Sequence, residues 1–344
     1  MDAVALLTRM LEIPSLSGEE SQLASFLVET MRSLGFHASV DQAGNAVGIL
    51  GDGPTEIVLL GHMDTVPGAV PVRIEDGQLY GRGSVDAKGP LAAFVAAAAQ
   101  VGPLPGKRII VIGATEEEAA SSKGARHASQ VFAPSYCVIG EPSGGHAVTL
   151  GYKGRIVCAY DASTRARHSA SKEVSILEEG VEFWNQIRRW ADAFNLGKKM
   201  FDSLDPALRE IQSENDGLME SIHLRLSIRI PLGLSPEVVR RYVESLSNDP
   251  ARLRFWGADP PYRAEKNTPL VRAFLRAIRE QGADPAFKVK SGTSDMNVVG
   301  PIWNCPMLAY GPGDSTLDHT PNEHLDLAEY HRAISVLARV LMLL

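Results

Sequence analysis

Apolar runs of strand length, each ending against a short polar cluster, alternate with helical patterns over the first 140 or so residues, and this rhythm most constrains the fold. Ala46 to Leu50, Ile57 to Leu60, Arg108 to Ile112 and Tyr136 to Ile139 are rich in β-branched and aliphatic residues. Between the second and third lies an Ala-rich stretch, Pro90 to Gln100, whose small side chains permit close packing of a helix on a sheet. Strand, helix, strand at these spacings predicts an α/β domain with a mostly parallel sheet. Ahead of it, Ser17 and Glu20 match a capping box, followed at helical spacing by Leu23, Phe26, Leu27, Met31 and Leu34 before Gly35.

The texture changes from about Leu150 to Pro260. Strand-like stretches at Val148 to Tyr160 and Ser221 to Ile230 flank a helical stretch from Glu173 to Phe194, and Ser235-Pro236 opens a further helix. This predicts an α+β module, residues 150–260, inserted into a discontinuous domain of residues 1–149 and 261–344. After it, Asn267-Thr268-Pro269 opens a helix ending at Gly282, Pro306 to Tyr310 is a strand, and an amphipathic helix starts at Asp326. A chain of 344 residues favours two domains. A net charge of −7 argues against nucleic acid or an anionic membrane surface as partner. No segment approaches the roughly 18 apolar residues of a membrane span. Cys137, Cys158 and Cys305 are widely separated, which suits a reducing cytoplasm better than a disulfide framework.

Four polar clusters follow strand-like runs: Gly61-His62-Met63-Asp64, Gly81 to Asp86, Glu116-Glu117-Glu118 and Gly140-Glu141-Pro142. Loops beyond the carboxyl ends of parallel strands converge on one crevice, so these His, Asp and Glu residues can meet as donors for a divalent cation. His62 and Asp64 form an HxD pair, in which the carboxylate can hold the second ring nitrogen of a ligating imidazole. HxD alone is a weak signal, and the chain contains a control in His324-Leu325-Asp326. There Asp326, with Glu329 three residues on and an apolar stripe beyond, is explained by helix capping. Asp64, in MDTVPG, has no such explanation. For the acid triplet two readings stand: a capping box of Thr115 with Glu118, or three repelling charges relieved by a bound cation. There is no GxSxG elbow and no GxxxxGK[ST] loop, which disfavours a serine hydrolase and a P-loop nucleotide site.

In that order GHMDTVPG, GRGSVDAKGPLAAF, TEEEAASSKGA, GEPSG and DHTPNEH resemble the M20 metallopeptidase/amidohydrolase family over nearly the whole chain. The resemblance implies a zinc-peptidase-like catalytic domain, an inserted lid and dimerisation domain, and hydrolysis of an amide by two metal ions, zinc or cobalt. It implies that Asp86 bridges the metals, with His62 and Glu141 completing one site and Glu118 and His319 the other. Glu117 would be the general base and Asp64 the support of His62. His168, in Arg165-Ala166-Arg167-His168-Ser169-Ala170, matches the lid histidine that a neighbouring subunit supplies to the oxyanion, which implies a homodimer.

In small-substrate members an Arg follows a GTSD-like loop; here Gly292-Thr293-Ser294-Asp295 is followed by Met296 and Asn297. With the short chain, this looks like the branch that releases lysine or ornithine from the C-terminal glutamate of an acidic amino-group carrier protein, in lysine and related arginine synthesis. For Lys153, Arg155, Arg165, Arg167 and Lys172 two readings stand, a basic face expected to meet such a carrier or ordinary solvated charges. A small-molecule N-acyl amino acid deacylase or dipeptidase is the alternative, and a non-catalytic binding protein the remote one.

Overall fold

The computed structural model describes residues 2–166, 173–247 and 249–344. By contacts the chain divides into two compact units, one of Met1–Gly151, Ala264–Val289 and Ser294–Leu344, the other of Tyr152–Arg263 and Lys290–Thr293. Its elements run α1 (Ala3–Glu12), α2 (Ser21–Ser33), β1 (His37–Val40), β2 (Ala46–Leu50), β3 (Thr55–His62), β4 (Arg73–Glu75), β5 (Gln78–Tyr80), α3 (Lys88–Val101), β6 (Lys107–Ala114), α4 (Lys123–Val131), β7 (Tyr136–Ile139) and β8 (Ala147–Tyr152). Then come β9 (Gly154–Arg165), α5 (Ile176–Phe194), β10 (Asp205–Asn215), β11 (Met219–Ile230), α6 (Pro236–Ser245), β12 (Arg252–Asp259) and β13 (Tyr262–Arg263). The chain closes with α7 (Pro269–Glu280), β14 (Ala286–Lys290), α8 (Asp295–Trp303), β15 (Met307–Ala309), β16 (His324–Asp326) and α9 (Leu327–Leu343). None of the described helices is long and apolar enough to cross a membrane.

The first unit is built on a mixed sheet ordered β1-β2-β6-β3-β7-β15-β8, with β14 also pairing β8. Its centre, β6, β3, β7 and β15, is parallel, and the flanking pairs β1/β2, β2/β6 and β15/β8 are antiparallel. The central strands read as continuous apolar runs because both of their faces are buried: Ile57 to Leu60 and Ile109 to Ile112 are fully enclosed. Helix α3 is covered in turn by α1 and α9.

A glycine ends each of three central strands just before the polar residues that follow, and α3 is the reason. A Cβ at Gly61 would sit 3.2 Å from the Leu91 Cβ, and one at Gly113 2.9 Å from the Met63 side chain and 3.2 Å from Leu91. One at Gly140 would lie 2.9 Å from the Phe94 ring and 3.0 Å from the Gly61 Cα. The absent side chains let the helix seat directly on the strand ends, so His62, Thr115 and Glu141 leave the sheet at one level.

The second unit is an antiparallel sheet ordered β10-β11-β9-β12. Ile156, Cys158 and Tyr160 of β9 alternate inward with Leu224, Leu226 and Ile228 of β11, and Phe183 and Ile187 of α5 with Val239 and Val243 of α6 cover them. Ser175 opens α5 in a reciprocal capping box with Glu178. The single stretch read from Val148 to Tyr160 is two strands, β8 and β9, broken after Tyr152. Both are apolar enough to be buried, so hydropathy does not mark the break. Strands β10 and β12 escaped the sequence reading because they lie at the sheet's edges, where polar residues are tolerated and the alternation fades.

Because Gly140 leaves no room for a side chain, Gly140→Ala should lower stability by about 1–3 kcal/mol through overpacking. Urea unfolding should show a lower midpoint at unchanged slope. An unchanged midpoint would mean that α3 yields freely and that the glycine is not required for close packing.

Candidate metal centre

Parallel strands deliver their following loops to one edge of the sheet. His62 ends β3, Glu117 and Glu118 follow β6, Glu141 follows β7, and His319 lies in the loop after β15. Asp86 comes from the loop between β5 and α3. Among the described residues two donor groups result, each with its ligand atoms within 4.8 Å of one another: His62, Asp86 and Glu141, and Asp86, Glu118 and His319. Asp86 belongs to both. The rival histidine, His324, belongs to neither; it stacks on Tyr80 and faces the Asn322 carbonyl, while Asp326 caps α9 as its spacing implied.

The contacts within these groups each need a positive charge between an imidazole and a carboxylate, supplied by a proton on the ring or by a metal cation in its place. His62 Nδ1 lies 3.0 Å from the Asp64 carbonyl oxygen, and its Nε2 is 3.3 Å from Asp86 Oδ1. A neutral imidazole has one N–H, so donating to Asp64 turns a lone pair toward a carboxylate oxygen. At the other group His319 Nε2 alone faces Glu118 Oε1 at 2.8 Å and Asp86 Oδ2 at 3.1 Å. One proton cannot serve both oxygens fully; a divalent cation among the three atoms can. The donor set, two imidazoles with carboxylates, suits zinc or cobalt.

The electrostatics point the same way. Hydrogen bonds to Asp86 and Glu118 push the His319 pKa up to about 10 against burial. Burial disfavours charge on His62, yet Asp64, Asp86 and the field of Glu117 hold its pKa well above the ordinary value. Burial also works against ionised Asp86, but His319 and His62 keep its carboxyl well below the usual range. The acids gathered here therefore favour a cation among them. Glu117 goes the other way: burial, with the charges of Glu141, Asp295 and Glu118, raises it well above the carboxylate range against the pull of His62.

Asp64 does more than its expected support of His62. Its carboxylate oxygen is 3.4 Å from His62 Nδ1, farther than its own carbonyl, and the carboxylate is used mainly elsewhere. Oδ1 accepts the Glu117 N–H and Oδ2 the Glu118 N–H, both at 3.0 Å, and Ser17 Oγ donates to Oδ2 at 2.7 Å. One residue earlier, the Glu116 N–H donates to Glu20 Oε1 at 3.0 Å. Three successive amides of the acid triplet thus end on carboxylates. That grip holds Glu116 at φ 58°, in the left-handed region where side chains are rare; His319, at φ 62°, is the second such residue of the centre.

These contacts correct two capping boxes. Ser17 and Glu20 do not cap α2, which begins at Ser21 without a side-chain cap; both reach the acid triplet and its anchor instead. Thr115 and Glu118 cap nothing either, since the next helix starts at Lys123 and Thr115 Oγ1 donates to the Ala43 carbonyl. In sequence both pairs satisfy the S/T-x-x-E pattern, and nothing local separates a cap from a brace.

The basic residues expected to face a carrier also need correction. Lys153 is fully buried, donating to the Ser203 carbonyl at 2.8 Å and to the Asp205 carboxylate. Arg155 pairs with buried Asp259. Both charges are used inside the second unit; Arg165 alone of the set is described and exposed. Arg167, His168 and Lys172 lie outside the described residues. Met296 and Asn297 are buried at the start of α8, where the Asn297 side chain accepts the Ser294 N–H in a capping box.

Residues 58–343 match the model of peptidase family M20/M25/M40. A [LysW]-lysine hydrolase of Deinococcus radiodurans is 48% identical over 344 residues, covering 98% of this chain and 95% of that protein. A [LysW]-lysine/[LysW]-ornithine hydrolase of Saccharolobus islandicus is 28% identical, covering 96% of this chain and 92% of its own. Among solved structures, an M20 family metallo-carboxypeptidase from Sulfolobus solfataricus superposes with a TM-score of 0.77 at 18% identity, covering 100% of this chain and 99% of that one. A dinuclear metal binding peptidase of the M20 family from Bacillus subtilis gives 0.71 at 12% identity, covering 98% and 96%. At such identities these two likenesses speak for the fold. The family match and the full-length identity speak for descent: the chain belongs to peptidase family M20/M25/M40.

Proposed function

We propose that this chain hydrolyses the amide joining lysine, or ornithine, to the C-terminal glutamate of an acidic amino-group carrier protein, in lysine synthesis by the 2-aminoadipate route and in related arginine synthesis. The observation that carries the reading is 48% identity along the whole chain to a [LysW]-lysine hydrolase. In this reading His62, Asp86 and Glu141 hold one divalent cation, Asp86, Glu118 and His319 the other, and both are zinc or cobalt. The second unit serves as lid and dimerisation module, and the enzyme works in the cytoplasm, where the free thiols of Cys137, Cys158 and Cys305 stay reduced.

When bound, the cations supply Lewis-acid polarisation of the amide carbonyl and a lowered pKa for the attacking water. The remaining chemistry belongs to side chains. Glu117 takes the proton of the attacking water. The same proton then passes to the departing amine, which leaves as a neutral amino group. Asp64 and Glu20 fix where Glu117 stands by taking the amides around it. In this reading His168, supplied by a second copy of the chain, would donate to the oxyanion that forms at the carbonyl oxygen.

The deciding assay compares initial rates of the zinc- or cobalt-loaded enzyme on a lysine-loaded carrier, on N-acetylornithine and on N-succinyl-diaminopimelate. The carrier conjugate should be preferred in kcat/KM; faster turnover of either small amide would replace the carrier reading with the deacylase one. Glu117→Gln keeps size and removes the base, so kcat should fall roughly 10²–10⁴-fold at unchanged metal content. Turnover at the parent rate would dismiss Glu117 as the proton carrier. His168→Ala should cost roughly 10²–10³-fold in kcat, again without metal loss. Mixing it with Glu117→Gln protein should restore part of the activity if subunits share sites, and no recovery in mixed dimers would argue for a histidine acting within its own chain.

A further inference from the structure

Glu323 is fully buried four residues beyond His319 and belongs to neither donor group. Its Oε1 accepts three backbone N–H groups from one loop: Gly83 at 3.0 Å, Val85 at 2.9 Å and Asp86 at 3.1 Å. Its Oε2 accepts from Arg82 Nη1 at 2.6 Å. The loop between β5 and α3 is thus wrapped around one carboxylate, and the last amide it takes is that of Asp86 itself. Pairing of β16 with β5, His324 opposite Tyr80, carries Glu323 to that loop. A second bond between the same two strands, from Gln78 Nε2 to Asp326 Oδ2 at 3.0 Å, fixes the register.

The surroundings are organised for an anion at this point. Lys88, two residues past Asp86, is buried with Nζ donating to the Met10 and Ile13 carbonyls at 3.1 and 2.8 Å, and its charge is felt by both Glu323 and Asp64. A glutamine could offer one carbonyl oxygen to the three amides. Its NH2 group would then point at the Arg82 guanidinium, donor against donor. Only a carboxylate satisfies both sides.

We infer that Glu323 is a positioning residue for Asp86: it aims the shared carboxylate so that Oδ1 meets His62 and Oδ2 meets His319, and it ties that loop to the segment bearing His319. The geometric consequence is specific. Asp64, Glu20 and Ser17 support the acid triplet, whereas Glu323 acts on the one ligand common to both donor groups. Its loss is therefore read at both cation sites together, while its complete burial keeps it from touching a substrate and leaves KM alone.

This inference rests on the reading of Asp86 as the shared ligand, and one titration separates the two. Zinc is titrated into metal-free parent and Glu323→Gln proteins against a chelator of known affinity, and kcat and KM on the lysine-carrier conjugate are taken at saturating zinc. The parent should bind two equivalents, and any other stoichiometry overturns the ligand reading itself. In the variant both equivalents should weaken in parallel by roughly 10- to 100-fold, the range typical when a group behind a ligand is removed. At saturating zinc kcat should fall at least about tenfold with KM within about threefold, the pattern of misplaced transition-state contacts. Parent-like affinities and kcat in the folded variant, with only a lower melting temperature, would make Glu323 a stabiliser of the fold and overturn the inference. So would weakening at one site alone. If Glu323→Gln does not fold, Glu323→Asp decides: it keeps the charge but is shorter by a methylene, so the three amides and Arg82 cannot all be reached. The same parallel weakening is expected from it, and unchanged affinities would again overturn the role.

Discussion

Negative charge gathered at one end of the parallel strands is the constraint around which the first unit is organised. Asp86, Glu117, Glu118 and Glu141 converge there, and Asp295 adds its field. Two like charges 4 Å apart repel by about 4 kcal/mol at an effective dielectric near 20. A few such pairs rival the whole stability of a domain, roughly 5–15 kcal/mol. The site must therefore be neutralised, and the two imidazoles answer only part of the demand. A pair of divalent cations answers the rest, so the folded state and the loaded site favour each other.

Outside the donor groups the same problem is met with backbone amides. Asp64, Glu20 and Glu323 are buried acids outside both donor groups, and each accepts one or more backbone N–H groups of a loop that carries a donor. An amide costs no side-chain entropy and cannot rotate away once its loop is folded. A carboxylate receiving several amides thus converts a loop into a rigid support while spreading its own charge. This is why residues that touch no substrate can decide where Glu117 and Asp86 stand, and why left-handed Glu116 is tolerated. Lys88 adds a buried ammonium that both Asp64 and Glu323 feel.

Much of this was legible in the residues. Strands β2 and β7 run as the apolar runs predicted, and the caps at Ser235, Thr268 and Asp326 open the helices they announced. Those signals are local: an apolar run or a capping residue acts on its own neighbourhood, so its pattern survives in one dimension. His62, Glu117, Glu118 and Glu141 were legible for another reason, because strand ends of a parallel sheet converge whatever the loops contain, while Asp86, after β5, and His319 came to the group through the family resemblance. What stayed hidden depends on contacts far along the chain. Ser17 reaches Asp64 across 47 positions and Glu323 reaches Val85 across 238, and no periodicity records either. Lys153 looked like a surface charge because lysine usually is one; its partner Asp205 lies on an edge strand that the pattern did not reveal.

The burial of Met296 and Asn297 changes what carries the substrate assignment. Their presence where small-substrate members place an arginine first read as a statement about the substrate. In the structure both side chains are committed to the start of α8, Asn297 through its bond to the Ser294 N–H and Met296 by complete burial. An arginine at position 297 would lose that reciprocal cap and bring an unpaired charge into the helix start, so the local packing alone accounts for its absence. Lys153 and Arg155, spent on Asp205 and Asp259, offer no basic face to a carrier. Preference for a carrier conjugate must then come from groups other than these four. The carrier reading stands on full-length kinship, while the amide chemistry stands on the geometry around Asp86.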